Sequence, residues 1–233
     1  MLKKLFALIL IGGLGLIFFQ LYNQRSRREG LTKTASYYTE KGPAETRSAN
    51  IVTSVVVTYR GLDTLGEVTI LFAAASIIGF FLKRSEKGSK DKTIRNQSSE
   101  LLQTGSMLLV PLIFLLGIYV FVNGHLSPGG GFQGGAIIAS GTVLAFLANP
   151  SFEGGRTLIH ILESLSGMFY VGIGVAGIFL AAGFLDNRIF PTGNVGSFIS
   201  AGAIPVIYSI IGLKVGAELS AILYSLRDTK EQQ

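Results

Sequence analysis

Cysteine is absent from this sequence, which rules out disulfides, thiolate-held zinc, cysteine-ligated iron–sulfur clusters and a lipid anchor on an N-terminal thiol. If a redox machine is involved, its centres are on other chains. Charge is scarce too: Asp, Glu, Lys and Arg are 15% of the 233 residues, against 48% hydrophobic. The apolar residues do not recur at strand or amphipathic-helix spacing but run together, the signature of a bilayer protein. No water in a hydrocarbon core satisfies a peptide group, so runs of about 20 apolar residues read as helices crossing roughly 30 Å. The formal net charge is +6, yet the basic residues lie in tails and connections without the aromatic interleaving of a single-strand nucleic-acid surface. Membrane orientation accounts for them, and nucleic acid is not expected as a partner.

The pattern predicts an all-α integral membrane protein of about six transmembrane helices in two units, two helices followed by four. Lys3 and Lys4 precede an apolar run from Leu5 to Phe19 with no small-x-small cleavage pattern after it, so residues 5–22 read as an uncleaved signal-anchor helix. Residues 23–50 are polar, lack any apolar face and read as an exposed loop. Ile51 to Tyr59 is apolar and β-branched but too short to span, so 51–61 is expected to be half-buried or interfacial. Further spans are expected at 64–82, 107–122, 135–148, 158–185 and 197–226. Residues 83–100 carry Lys83, Arg84, Lys87, Lys90, Lys92 and Arg95 and form a basic linker between residues 1–82 and 101–233. Placing that linker in the cytoplasm puts both termini there as well, with 11 basic residues inside and 8 outside.

Two glycine motifs invite a nucleotide reading and lack the rest of it. GIGVAG at 172–177 lies inside an apolar span, where a dinucleotide fingerprint needs a strand turning into a helix. Close helix packing is the expected role of its glycines, as for the GxxxG pair Gly212 and Gly216. PGGGFQGG at 128–135 has no following Lys-Ser or Lys-Thr, so it is no phosphate loop. With Pro128, its glycines predict a tight non-helical connection over 123–134 at the head of the fourth span. No cofactor or metal is called for.

The ionisable residues near apolar segments are the candidate site. Lys214 and Glu218, four apart in the last span, share one helix face and mark either an ion path or a mutually neutralised pair that fixes packing. His160 and Glu163 either extend a polar track or occupy an ordinary interfacial position. Asp63 and Glu67, with Arg60 nearby, either concentrate cations or complement a helix N-terminus. His125 either relays protons or hydrogen-bonds within the interface.

GHLSPGGGFQGG (124–135) followed by an apolar span resembles the signature of the B subunit of the multisubunit sodium/proton antiporters, the Mrp or Mnh family, including versions built into membrane-bound hydrogenase complexes. RGLDTLGE and the span after it resemble the C-terminal end of the large A subunit of those antiporters, and GLKVGAELS (212–220) agrees with the B type more weakly. The resemblance implies a fusion of the two, acting as a non-catalytic subunit of a sodium/proton antiporter module, free-standing or within a redox complex. It implies partners that are other hydrophobic subunits, hydrogenase-like redox subunits among them, with Na⁺ and H⁺ as the ions. It gives functional weight to Asp63 and Glu67, to Pro128 and Phe132, and to His125, Gly129, Gly130, Gly131, Gly134 and Gly135 of the same signature. The cysteine-free background makes the orientation directly measurable: single cysteines introduced within 23–50 and within 83–100 are expected to label from opposite sides of the membrane. Labelling of both from one side overturns the topology.

Overall fold

The computed structural model describes residues 2–24, 30–85, 98–149 and 155–230. Most of the basic linker, residues 86–97, lies outside the described residues. Among those described the protein is helical apart from turns and one isolated bridge, Gly193 to Ser200. The chain divides into two compact units, 1–37 and 38–233. The first contains α1 (Leu2–Asn23), an apolar helix with exposed side chains along its length.

Helix α2 (Lys33–Thr46) starts where the Thr32 hydroxyl accepts a bond from the Ala35 amide at 3.2 Å, and its second half belongs to the larger unit. After it come a single turn, α3 (Ile51–Thr53), a π-helical stretch (Ser54–Tyr59), α4 (Gly61–Ser85), α5 (Glu100–Val122), α6 (Gly131–Ala148), α7 (Arg156–Leu180), a 3₁₀ turn (Asn187–Ile189) and α8 (Ile204–Lys230). Six of these, α1 and α4 to α8, are long and apolar enough to cross a membrane, the number expected.

Several boundaries differ from expectation for identifiable reasons. Residues 23–50 are not simply an exposed loop, because α2 forms within them and its end is buried. That helix docks without an apolar stripe: Tyr38 stacks on Tyr59 with ring centres 4.9 Å apart, the Tyr59 hydroxyl donates to Glu45 at 2.5 Å, and the Thr46 and Ser54 hydroxyls meet at 2.7 Å. The non-helical connection covers only 123–130. Gly129, at φ +142°, takes a backbone conformation open to glycine, and Gly131, Phe132, Gly134 and Gly135 are already helical. The fifth span ends at Leu180 and the sixth begins at Ile204, leaving a folded loop over 181–203. Part of that loop returns onto α7, and the glycines of GIGVAG receive it: a Cβ on Gly174 would strike the Phe184 ring, and one on Gly177 would lie 2.5 Å from the Gly183 carbonyl. Those two glycines therefore accommodate a loop, not a neighbouring membrane helix.

Helix α8 is the axis of the larger unit, packing against α4, α5, α6 and α7. Its Ile204, Ile207, Tyr208, Ile211 and Val215 join Val57, Val68, Tyr170 and Leu185 in the central apolar cluster, against which Phe132 packs half-buried. Close approach of α6 depends on two adjacent glycines facing opposite ways. A Cβ on Gly134 would come 2.6 Å from the Gly117 carbonyl of α5, and one on Gly135 would come 2.7 Å from Val215 and 2.8 Å from the Gly212 carbonyl of α8. In lipid, small residues of this kind supply the contact that the hydrophobic effect supplies in water. Gly135→Ala is therefore expected to cost about 1–3 kcal/mol of stability through overpacking. Gly172→Ala, whose added methyl meets nothing within 4 Å, should be neutral or slightly stabilising. Thermal unfolding of both variants in detergent checks the pair; equal losses would contradict the packing argument.

Candidate ion-pair site and polar clasp

Lys214 and Glu218 lie about 15 and 21 Å along α8 from its first residue, at a rise of roughly 1.5 Å per residue, so the lysine is near mid-span. Their spacing of four aligns them, and Nζ of Lys214 is 2.7 Å from Oε1 of Glu218, with the side chains 9% and 0% exposed. Three further features place the ammonium. It lies 4.9 Å from the centre of the Phe72 ring of α4, and it donates at 3.5 Å to the backbone carbonyl of Glu163 on α7. Gly167 leaves room for it, since a Cβ there would meet Nζ at 3.4 Å. Buried charges persist when paired and enclosed, and this pair has both conditions. The second carboxylate oxygen of Glu218 is buried without a hydrogen-bond donor among the described residues.

Lys214 forms the floor of a cleft of about 310 Å³ between α4 and α7, whose walls include Thr69, Phe72, Glu163, Ser164 and Met168. The Glu163 carboxylate is mostly buried and lies 3.5 Å from Nδ1 of the exposed His160, one turn away. The structure thus brings His160, Glu163, Lys214 and Glu218 into one track. Asp63 and Glu67 are elsewhere: Asp63 is exposed and paired with Arg60, and Glu67 is exposed on a face of α4 different from that of Leu65 and Thr69, which line the cleft.

His125 belongs to a second polar assembly, at the end of the bundle where α5 turns into α6. Asn50 caps α3, its Oδ1 accepting from the Val52 and Thr53 amides at 3.1 and 3.4 Å, while its Nδ2 donates to the carbonyls of Gly124 and Ser127, both at 2.9 Å. Thr53 donates to the Gly124 carbonyl at 2.6 Å, and Ser48 donates to that of His125 at 2.9 Å. From the third side, the loop after α7 brings the Phe198 carbonyl to Nε2 of His125 at 3.1 Å, and Asn187 reaches the carbonyls of Thr46 and Ala201 at 2.8 and 3.1 Å. Gly202, at φ +58°, closes this loop where any Cβ would collide with the Asn187 carbonyl. Segments separated by more than 70 residues are clasped together through backbone carbonyls.

His125 is 1% exposed, and its Nδ1 has no partner among the described residues. The contact to Phe198 requires the proton on Nε2. Burial lowers the affinity of the imidazole for a second proton, an effect only partly opposed by hydrogen bonds from its ring to backbone carbonyls. Pro128 is exposed beside it, and Gly129 and Gly130 carry the chain into α6.

Sequence reasoning missed Asn50, Thr53, Asp186 and Asn187. Asn50 had a readable signal, as an Asn directly before a β-branched apolar run is an N-cap pattern. The others make contacts that no local pattern encodes. Asp186 accepts from the Arg188 amide at 2.9 Å and the Ala182 amide at 3.2 Å, and its carboxylate receives the Arg188 guanidinium.

Apolar helices long enough to cross a bilayer, gathered around a buried and enclosed ion pair, define a multi-pass membrane protein. The chain belongs to the family described as domains related to the MnhB subunit of Na⁺/H⁺ antiporters, which matches residues 101–221, just over half of it. Residues 3–99 match a second family, MbhE, described as the E-type subunit of MBH. A probable K⁺/H⁺ antiporter A/B subunit of Rhizobium meliloti is 26% identical over 81% of this chain, which spans only 22% of that longer protein. Among solved structures, a chain of the membrane-bound sulfane sulfur reductase, an archaeal respiratory membrane complex, superposes with a TM-score of 0.81 at 38% identity, covering 97% of this chain and 98% of that one. A chain of the Mrp complex from Dietzia sp. DQ12-45-1b superposes with a TM-score of 0.78 at 25% identity, covering 96% of this chain and 26% of that one.

The Asp186 carboxylate yields a pH prediction. Its hydrogen bonds from Arg188, opposed in part by burial, hold its pKa at about 2 against an ordinary 3.8. A depressed folded-state value means that its contribution to stability is complete above about pH 4 and is lost as the pH falls through about 2. Asp186→Asn is expected to lower stability by about 1–2 kcal/mol at pH 7, the worth of charge-assisted bonds partly open to solvent. The gap from the parent protein should close as unfolding is measured toward pH 2. A gap independent of pH would show that the carboxylate charge is not what matters.

Proposed function

We propose that the protein is a membrane subunit of a cation/proton antiporter module, and that the track His160, Glu163, Lys214 and Glu218 carries protons or cations through the middle of the membrane. The observation that carries this reading is the 2.7 Å contact between Lys214 and Glu218, buried near mid-bilayer and bordering a cleft that holds a second carboxylate. Each carboxylate is balanced against one ammonium, so displacing Lys214 from Glu218 toward Glu163 would change which acid holds a proton. Sodium is the cation in this reading, in line with the family's description, and the host is either a free-standing antiporter or a redox-driven membrane complex. The protein resides in the cytoplasmic membrane with both termini inside, alongside other hydrophobic subunits and, in the redox case, hydrogenase-like ones. Asp63 and Glu67, exposed on α4, act toward a neighbouring subunit, and the His125 clasp holds the connection between α5 and α6 in place.

The alternative is an adaptor in which the buried pair only fixes helix packing. Removing one partner of a buried pair leaves an uncompensated charge at a cost of about 3–5 kcal/mol, while neutralising both is often tolerated. Glu218→Gln alone, Lys214→Met alone and the double variant are therefore to be compared for cation/proton exchange and for abundance of the assembled complex. An ion path predicts that the double variant restores assembly while exchange stays at least tenfold below the parent level. Recovery of exchange together with assembly would make the pair structural.

A further inference from the structure

We infer that the cleft between α4 and α7 is the seat of a transmembrane helix from a different subunit, one that brings a basic side chain to the depth of Glu163. Lys214 is already engaged by the Glu218 carboxylate, the Phe72 ring and the Glu163 backbone carbonyl. The Glu163 carboxylate is not. Its partner is His160, at 3.5 Å and 61% exposed, while the Glu163 side chain itself is 16% exposed. Glu163 lies about 10 Å into its span, counted from Thr157, a depth at which an ionised side chain must meet protein or water. With Lys214 and Glu218 cancelling, the cleft retains the negative charge of Glu163, bordered by apolar Met168 and Phe72 and by the hydroxyls of Thr69 and Ser164.

Charge decides among the possible occupants. A lipid tail would leave the carboxylate against hydrocarbon. A second copy of this chain, packed symmetrically on the same face, would bring Glu163 toward Glu163. A helix with Lys, Arg or His at this level neutralises the site, and the side walls of α4 and α7 supply the apolar contact. The inference holds whether or not ions pass along the track, because seating and transport are read by separate assays.

The test uses the native complex purified from membranes, with p-benzoylphenylalanine replacing the exposed Met168 or, in a second variant, the exposed Thr69. Irradiation is expected to join both positions to one transmembrane helix of another subunit, with Lys, Arg or His within one turn of the adduct. Adding Glu163→Gln should lower the yield at Met168 at least threefold. Adducts on lipid alone, on a second copy of this chain or on a helix without such a residue would overturn the inference, as would the absence of adducts or a yield that Glu163→Gln leaves unchanged.

Discussion

Placing an ammonium and a carboxylate in the middle of a bilayer requires that they be enclosed on nearly every side, and the arrangement of the other helices follows from that requirement. Lys214 and Glu218 lie on α8, so α8 becomes the axis and α4 to α7 surround it. The hydrophobic effect does not drive helices together in lipid, so the enclosure depends on contact distance. Gly134 and Gly135 let α6 approach α5 and α8 at once, while Gly167 admits the end of the lysine side chain from α7. One side remains less closed, the cleft between α4 and α7.

The clasp addresses a different constraint. A turn between two membrane helices presents carbonyls whose donors must come from somewhere. Here they come from distant parts of the chain: Asn50, Thr53 and Ser48 bond to carbonyls of residues 124, 125 and 127. Asn187 in turn ties the end of α2 to the loop before α8. The conformation of residues 123–130 is thereby fixed by side chains from both sequence segments, with His125 as the buried member that faces the third segment of the clasp.

Much of this was legible in the sequence, for reasons particular to membranes. The number and type of spans follow from apolar run length, and Lys214 and Glu218 stand out because ionisable residues are rare at such depth. Their alignment follows from a spacing of four. Boundaries were less legible: glycines 131 to 135 read as breakers, yet they are helical because neighbours on both sides need the space a side chain would fill. Residues 33–46 read as loop because docking by a Tyr stack and hydroxyl bonds leaves no apolar stripe. Glu67 read as the deeper, pathway-facing acid, but helical phase turns it away from the face that Leu65 and Thr69 give to the cleft. Phase within an apolar helix is invisible when every face is apolar.

The division by family and the division by packing do not coincide, and the difference bears on the site. Residues 3–99 and 101–221 match separate families, yet α4 from the first packs on α8 from the second within one compact unit. The cleft draws Thr69 and Phe72 from one family segment and Glu163 and Lys214 from the other. A cation–ring contact between Phe72 and Lys214 therefore crosses the family boundary. Were the two segments separate proteins, the lysine environment would depend on their association and would be open to lipid whenever they parted. Covalent continuity makes one wall of the charged cleft permanent and keeps the two halves at equal number. The only wall left to another subunit is then the outer mouth, where the Glu163 carboxylate lies.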